Sequence, residues 1–250
     1  MTSSLLFGTT RTFVGQRHAL IAADGQVVSS LPGVTGATTV VLISPEMGAG
    51  FTELTITFAE GGQAEFPDSQ IEAFVYVLEG SVTAQAKSEK KILSSGEFMF
   101  VPAVTPWSLT EPVRGTQVHL FLKKYVALPG VPEPGILFGC EQEVISQPFL
   151  GDDAARLQIL LPDNPSFDLA INIFNYQPGA HLPFVETHIM EHGMLMLAGT
   201  GVYRLEDNWY PVTAGDCIWM APYCPQWFVA MGKAPARYLY YKDVNRLPSL

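Results

Sequence analysis

Apolar positions along this chain come in short runs rich in Val, Ile, Phe and Tyr, cut every few residues by turn-forming side chains. Such runs occupy residues 39–44, 54–58, 73–78, 98–101, 118–122, 168–174, 193–197 and 238–241. Runs of this length and composition, spaced by turns, predict strands of an all-β sandwich or barrel. Helical periodicity is nearly absent. Residues 151–159 are the one stretch expected to hold a short helix, and that stretch is poorly capped.

The pattern occurs twice. Residues 74–82 (FVYVLEGSV) are followed by 95–107 (SGEFMFVPAVTPW), and residues 194–202 (MLMLAGTGV) by 214–227 (AGDCIWMAPYCPQW). Gly80 and Gly96 are as far apart as Gly199 and Gly215, and Gly96 and Pro106 as far apart as Gly215 and Pro225. Each half therefore reads as strand, glycine turn, strand, Gly-acidic turn, strand and proline-bearing loop. Two tandem β domains are expected, residues 1–130 and 131–250, joined near the Pro- and Gly-rich stretch 128–135.

A chain of 250 residues with 48% hydrophobic side chains can bury a substantial core. Its net charge of −10 argues against nucleic acid and anionic membranes, which need a basic face. A small anion, needing one or two local cations, stays possible. No apolar run approaches a membrane span, and residues 1–8 lack the basic and long apolar segments of a signal peptide. Cys140, Cys217 and Cys224 form no CxxC pair and are odd in number, which fits reduced thiols in the cytoplasm.

The candidate chemistry is concentrated between His181 and His192, which hold three of the five histidines. In an extended strand, side chains two apart share a face, so Glu186, His188 and His192 would point one way and Glu191 the other. Two imidazoles and a carboxylate on one wall suit a divalent ion with nitrogen and oxygen ligands. By the same parity His181 falls off the pattern, and Met190, Met194 and Met196 line the core. The stretch from His188 to His192 also matches H-x-x-E-H, an inverted zinc-protease signature. That geometry needs a helix, which Pro183, Gly193, Gly199 and the apolar run 194–198 disfavour. Tyr238, Tyr240 and Lys242 share a strand face further on.

These motifs resemble the cupin superfamily, double-stranded β-helix barrels related to the jelly roll. The first cupin motif, G-x5-H-x-H-x3,4-E-x6-G, is matched in spacing by Glu186, His188, His192 and Gly199 with the outer ligand types exchanged; Gly179 lies one residue further upstream than the pattern asks. In the second motif Gly215, Ala221, Tyr223 and Gln226 stand in place, with glutamine for the last histidine. This substitution set is similar to that of the (S)-ureidoglycine aminohydrolases, bicupin manganese enzymes of allantoin and purine breakdown. The likeness covers nearly the whole chain and is densest from Glu186 to Arg246. It implies one Mn²⁺ per chain held by Glu186, His188, His192 and Gln226. It also implies substrate contacts from Tyr203, Tyr238 and Lys242, with Glu186 and Lys242 as catalytic groups. Pro67, Ser69, Ala73 and Trp107 occupy the equivalent places in the first half, so that barrel is expected to be metal-free.

The implied reaction is hydrolysis of (S)-ureidoglycine, a small ureido amino acid, to (S)-ureidoglycolate and ammonia. The residues themselves fit Mn²⁺ or Fe²⁺ and, lacking a thiolate, give no argument for zinc. Two rivals stay open at this point: an iron-dependent cupin oxidase or dioxygenase, and a non-enzymatic bicupin sensor. The resemblance also implies a homo-oligomer.

Overall fold

The computed structural model describes residues 10–244. Residues 1–8, expected to carry no signal peptide, and Arg246, at the end of the resembling stretch, lie outside the described residues. Strands dominate, and the only helical elements among the described residues are the 3-10 turns Ala23–Gly25, Pro45–Met47 and Glu141–Glu143. No helix among them is long and apolar enough to cross a membrane.

All eight expected apolar runs lie on strands, apart from the end residues Ser44 and Asp168. Residues 151–159 do not form a helix. Asp152–Ile159 is a strand, paired antiparallel with Gln147–Phe149 on one side and Leu169–Tyr176 on the other. With neither caps nor a 3.6-residue apolar stripe, the segment gains more from two ladders than from isolated helical turns.

The main first-half sheet runs in the order Leu137–Cys140, Glu97–Val101, Ile71–Glu79, Gln117–Lys124, Phe51–Phe66, Trp107–Thr110, Ser81–Ala86, Glu89–Ser94. The second half builds a sheet ordered Phe13–Val14, His18–Ile21, Cys217–Met220, His192–Ala198, Ala236–Asp243, Leu169–Tyr176, Asp152–Ile159, Gln147–Phe149, and a smaller one of Asn208–Thr213, Thr200–Leu205 and Gln226–Met231. Each large sheet therefore takes a strand from across the molecule. His18–Ile21 pairs with Cys217–Met220, and Leu137–Cys140 pairs with Glu97–Val101.

The sequence repeat is a structural repeat. Gly80 and Gly199 have φ of 80° and 78°, and Gly96 and Gly215 have φ of 84° and 87°. Residues with a Cβ rarely adopt this region, which accounts for glycine at all four turns. The backbone bonds match as well: Gly96 N–H donates to Val77 O at 2.9 Å and Gly215 N–H to Met196 O at 2.8 Å. Three apolar cores result. One fills the first barrel around Leu54, Ile56, Val75 and Leu120. A second fills the second barrel around Phe174, Tyr176, Met194 and Phe228. The third lies where the barrels pack face to face, joining Phe51, Phe74, Phe98 and Phe121 to Ile171, Ile173, Trp219 and Tyr241.

Candidate metal centre

Glu186 to Glu191 is not a continuous strand. The ladder starts at His192, and before it Glu186 makes only an isolated bridge to Gln226, giving its N–H to Gln226 O at 2.8 Å and accepting from Gln226 N at 2.9 Å. A bend at Ile189 breaks the alternation, because residues 187–191 have no neighbouring strand to pair with. His188 is held differently, its carbonyl accepting the N–H of Tyr223 at 2.7 Å. The loop nonetheless turns Glu186, His188 and His192 toward one interior.

The opposite wall follows from register. On Ala236–Asp243, Lys242 stands across from His192, Tyr240 from Met194 and Tyr238 from Met196. Directly opposed residues on antiparallel strands present their side chains to the same face. The enclosed space is a cavity of about 160 Å³ whose lining includes Glu186, His188, His192, Gln226, Tyr203, Tyr238 and Lys242. Met190, Met194, Met220, Phe149, Phe174, Leu182 and Tyr240 complete the wall. Of this second group, motif reading picks out the methionines at 190 and 194 as core lining, and Tyr240 through its parity with Lys242. Phe149, Phe174, Leu182 and Met220 carry no local signal. His181 lies outside; its ring Nδ1 approaches Leu182 O at 2.7 Å and the ring tilts against Trp227.

The two imidazoles turn their bare nitrogens toward one another. His188 Nδ1 lies 3.2 Å from Met190 O, and His192 Nδ1 lies 3.2 Å from Tyr241 O. A carbonyl can only accept, so each ring carries its proton on Nδ1 and bares Nε2. The two Nε2 atoms are 3.1 Å apart. Neither holds a proton for the other, and burial keeps both rings neutral. His192 is pushed down to about 3 by desolvation, then by His188, and His188 is lowered chiefly by desolvation. Gln226 Nε2, 2.8 Å from His188 Nε2, can donate to that lone pair. The His192 lone pair faces only its neighbour's.

A cation would relieve this contact. Two ligands at right angles on an ion about 2.1 Å away lie about 3 Å apart, and metal-bound histidines commonly give their other N–H to a backbone carbonyl. A half-turn of the Gln226 amide would present its oxygen. The Glu186 carboxylate touches neither ring; no three His, Cys, Asp or Glu side chains among the described residues stand close enough to share an ion. It does line the same cavity, and its pKa is raised by desolvation and opposed by Lys242. The donor set thus fits a hard divalent ion. It does not fit the helical protease geometry, since residues 188–192 form no helix.

Glu191 is turned out of the cavity, as expected, but its own bonds do this. Its carboxylate accepts from Trp219 Nε1 at 2.8 Å and from Gly50 N at 3.0 Å. Burial pushes this carboxyl up to about 7. The phenols of Tyr203, Tyr238 and Tyr240 are all raised by desolvation and stay protonated donors, and Tyr238 shares a 3.1 Å bond with Tyr176. In the first barrel, Ser69 O accepts from Val104 N at 2.6 Å, repeating the bond from Tyr223 to His188. Trp107, standing where Gln226 does, stacks on Phe66 with ring centroids 4.0 Å apart. Proline, serine, alanine and tryptophan offer no comparable ligand set there.

The sequence model of the cupin domain (Cupin_2) matches residues 172–241. The chain is 38% identical over 244 residues to the (S)-ureidoglycine aminohydrolase of Arabidopsis thaliana, covering 96% of this chain and 80% of that protein. It is 35% identical over 235 residues to the (S)-ureidoglycine aminohydrolase of Escherichia coli (strain K12), covering 91% and 88%. Among solved structures, protein Ylba from E. coli superposes with a TM-score of 0.86 at 30% identity, covering 97% of each chain.

Proposed function

This chain belongs to the (S)-ureidoglycine aminohydrolase family, and from that premise we propose that it hydrolyses (S)-ureidoglycine to (S)-ureidoglycolate and ammonia, in allantoin and purine catabolism, at one Mn²⁺ site in its second barrel. The observation that carries the metal reading is the pair of Nε2 atoms 3.1 Å apart, with both Nδ1 atoms set against backbone carbonyls. Glu186, His188, His192 and Gln226 would hold the ion. Once bound, it would polarise a chelated substrate group and lower the pKa of bound water.

The chain's own residues supply the rest. Lys242, opposite His192 on the neighbouring strand, pairs with the substrate carboxylate. Tyr203 and Tyr238 remain protonated and donate to the polar groups of the amino acid. Phe149, Phe174 and Leu182 give the cavity an apolar side. During turnover the bond between Cα and the α-amine breaks and a bond from Cα to water oxygen forms; the water proton leaves with the amine as ammonia. Glu186, the one carboxylate among the described residues lining the cavity, takes and returns that proton in this reading.

The deciding experiment measures ammonia released from freshly prepared (S)-ureidoglycine by metal-stripped protein, with and without added Mn²⁺, after subtracting spontaneous loss. Release above background only with metal supports the reading. No release by Mn²⁺-loaded protein sinks it. We place the enzyme in the cytoplasm, consistent with three free thiols, and in a homo-oligomer, consistent with exposed Ile92, Ile145 and Leu150.

A further inference from the structure

We propose that the first barrel positions the metal ligand His192 through residues 50–53, with Glu191 as a positioning residue; this rests on reading His192 as a ligand. Both neighbours of His192 are fixed from across the barrel interface. Before it, Glu191 is 6% exposed. Its carboxylate takes the Gly50 N–H at 3.0 and 3.1 Å and the Trp219 indole at 2.8 Å, and its own N–H donates to Asp243 Oδ1 at 2.6 Å. After it, Gly193 has no room for a side chain. A Cβ there would lie 2.3 Å from Glu53 Oε2 and 2.4 Å from the Phe51 ring.

The imidazole itself traces back to the same segment. His192 Nδ1 is held by Tyr241 O, and the Tyr241 ring stacks on Phe51 with centroids 4.1 Å apart. Residues 50, 51 and 53 thus act on the residue before the ligand, on the residue after it, and on the one that fixes its tautomer. The other imidazole has no such support, because His188 sits on a loop without a ladder. The distance between the rings therefore depends on where the start of strand His192–Ala198 is held. The first barrel lacks the ligand set, yet it supplies that fixed point.

A purely structural role would lower stability and leave metal affinity alone, so the test measures both on the full-length chain. Metal-free protein is titrated with Mn²⁺ by calorimetry and melted thermally. Glu191→Gln leaves one acceptor for two donors. Gly50→Ala puts a Cβ 3.0 Å from Glu191 Oε2. Arg237→Met is the control: it breaks contacts to Glu141 at 3.0 Å and Asn175 at 2.7 Å and touches neither neighbour of His192. We expect each of the first two variants to bind one ion per chain at least about tenfold more weakly, the scale seen when groups that orient ligands are removed. The control should melt earlier with unchanged affinity. Affinities within twofold of wild type for both Glu191→Gln and Gly50→Ala overturn the proposal, whatever their melting temperatures. If Glu191→Gln does not fold, Gly50→Ala decides alone. Wild-type protein that takes up no Mn²⁺, or His188→Ala that binds it as wild type does, overturns the metal reading itself and this inference with it.

Discussion

His188 and His192 face each other through Nε2 atoms 3.1 Å apart, while both Nδ1 atoms are turned onto backbone carbonyls. The arrangement places two lone pairs in contact, which is repulsive unless a cation sits against them. His188→Ala should therefore weaken Mn²⁺ binding by more than about a hundredfold while the chain still folds, since truncating a ligand costs at least as much as disturbing its orienting partner. Elemental analysis after dialysis checks this, with about one equivalent expected for the wild type. A variant that keeps its metal would show that the ring contact is only packing.

Much of this was legible locally. The glycine repeat specified four turns, because only glycine takes their positive φ without strain. Alternation on Ala236–Asp243 correctly put Tyr238, Tyr240 and Lys242 on one face. Over residues 186–191 the expected strand is absent, since a strand needs a partner and this loop has none beyond the Glu186 bridge, although Glu186, His188 and His192 still face the cavity and Glu191 does not. The convergence of Glu186, His188 and His192 comes from loop curvature, which no spacing encodes. The exchanged strand His18–Ile21 was not legible either. Its partner, Cys217–Met220, is about two hundred residues away, and pairing at that distance leaves no local periodicity.

That exchanged strand carries a pH dependence. His18 is buried, its ring nitrogens 3.0 Å from Glu206 and 2.9 Å from the Tyr210 hydroxyl, and desolvation lowers its pKa against the opposing pull of Glu206. The unfolded chain takes up a proton near 6.5 while the folded chain resists it, so His18's stabilisation is present above that pH and lost as pH falls. Between pH 7.5 and 5.5, wild type should lose stability relative to His18→Gln in urea melts. The opposite slope would mean that Glu206 wins and the ring is charged when folded.

The repeat predicts matched costs of substitution. Alanine at Gly80 would place its Cβ 2.4 Å from Thr116 Oγ1, and at Gly199 2.4 Å from Pro235 O, both at positive φ. Each should destabilise by roughly 2–4 kcal/mol, from backbone strain plus overlap. Gly61→Ala supplies the comparison: φ is 70° but nothing lies within 4 Å, so only the backbone cost of about 1–2 kcal/mol remains. Denaturant titration of the three variants separates the contributions. Equal losses at all three sites would remove the close-approach argument.

Lys242 tests the proposed substrate pose. It stands directly across the strand pair from His192 and lines the cavity half-buried, so its ammonium acts on His188 and His192. A charge pair with a substrate carboxylate in such a partly desolvated place is stronger than one on the surface. Lys242→Met removes the charge and keeps much of the volume. The lysine lowers the proton affinity of Glu186 and opposes protonation of His192, so its loss should make both groups easier to protonate; it also removes a positive charge that repels a cation, and metal stoichiometry near neutral pH should stay intact. Turnover should fall by more than about a hundredfold in kcat/KM, on the scale of losing a buried charge-assisted bond. Activity near wild type would mean that Lys242 points to solvent during turnover, and the carboxylate would need another anchor. Loss of metal together with activity would instead assign the lysine to the ligand loop, by its contact across the strand pair with His192.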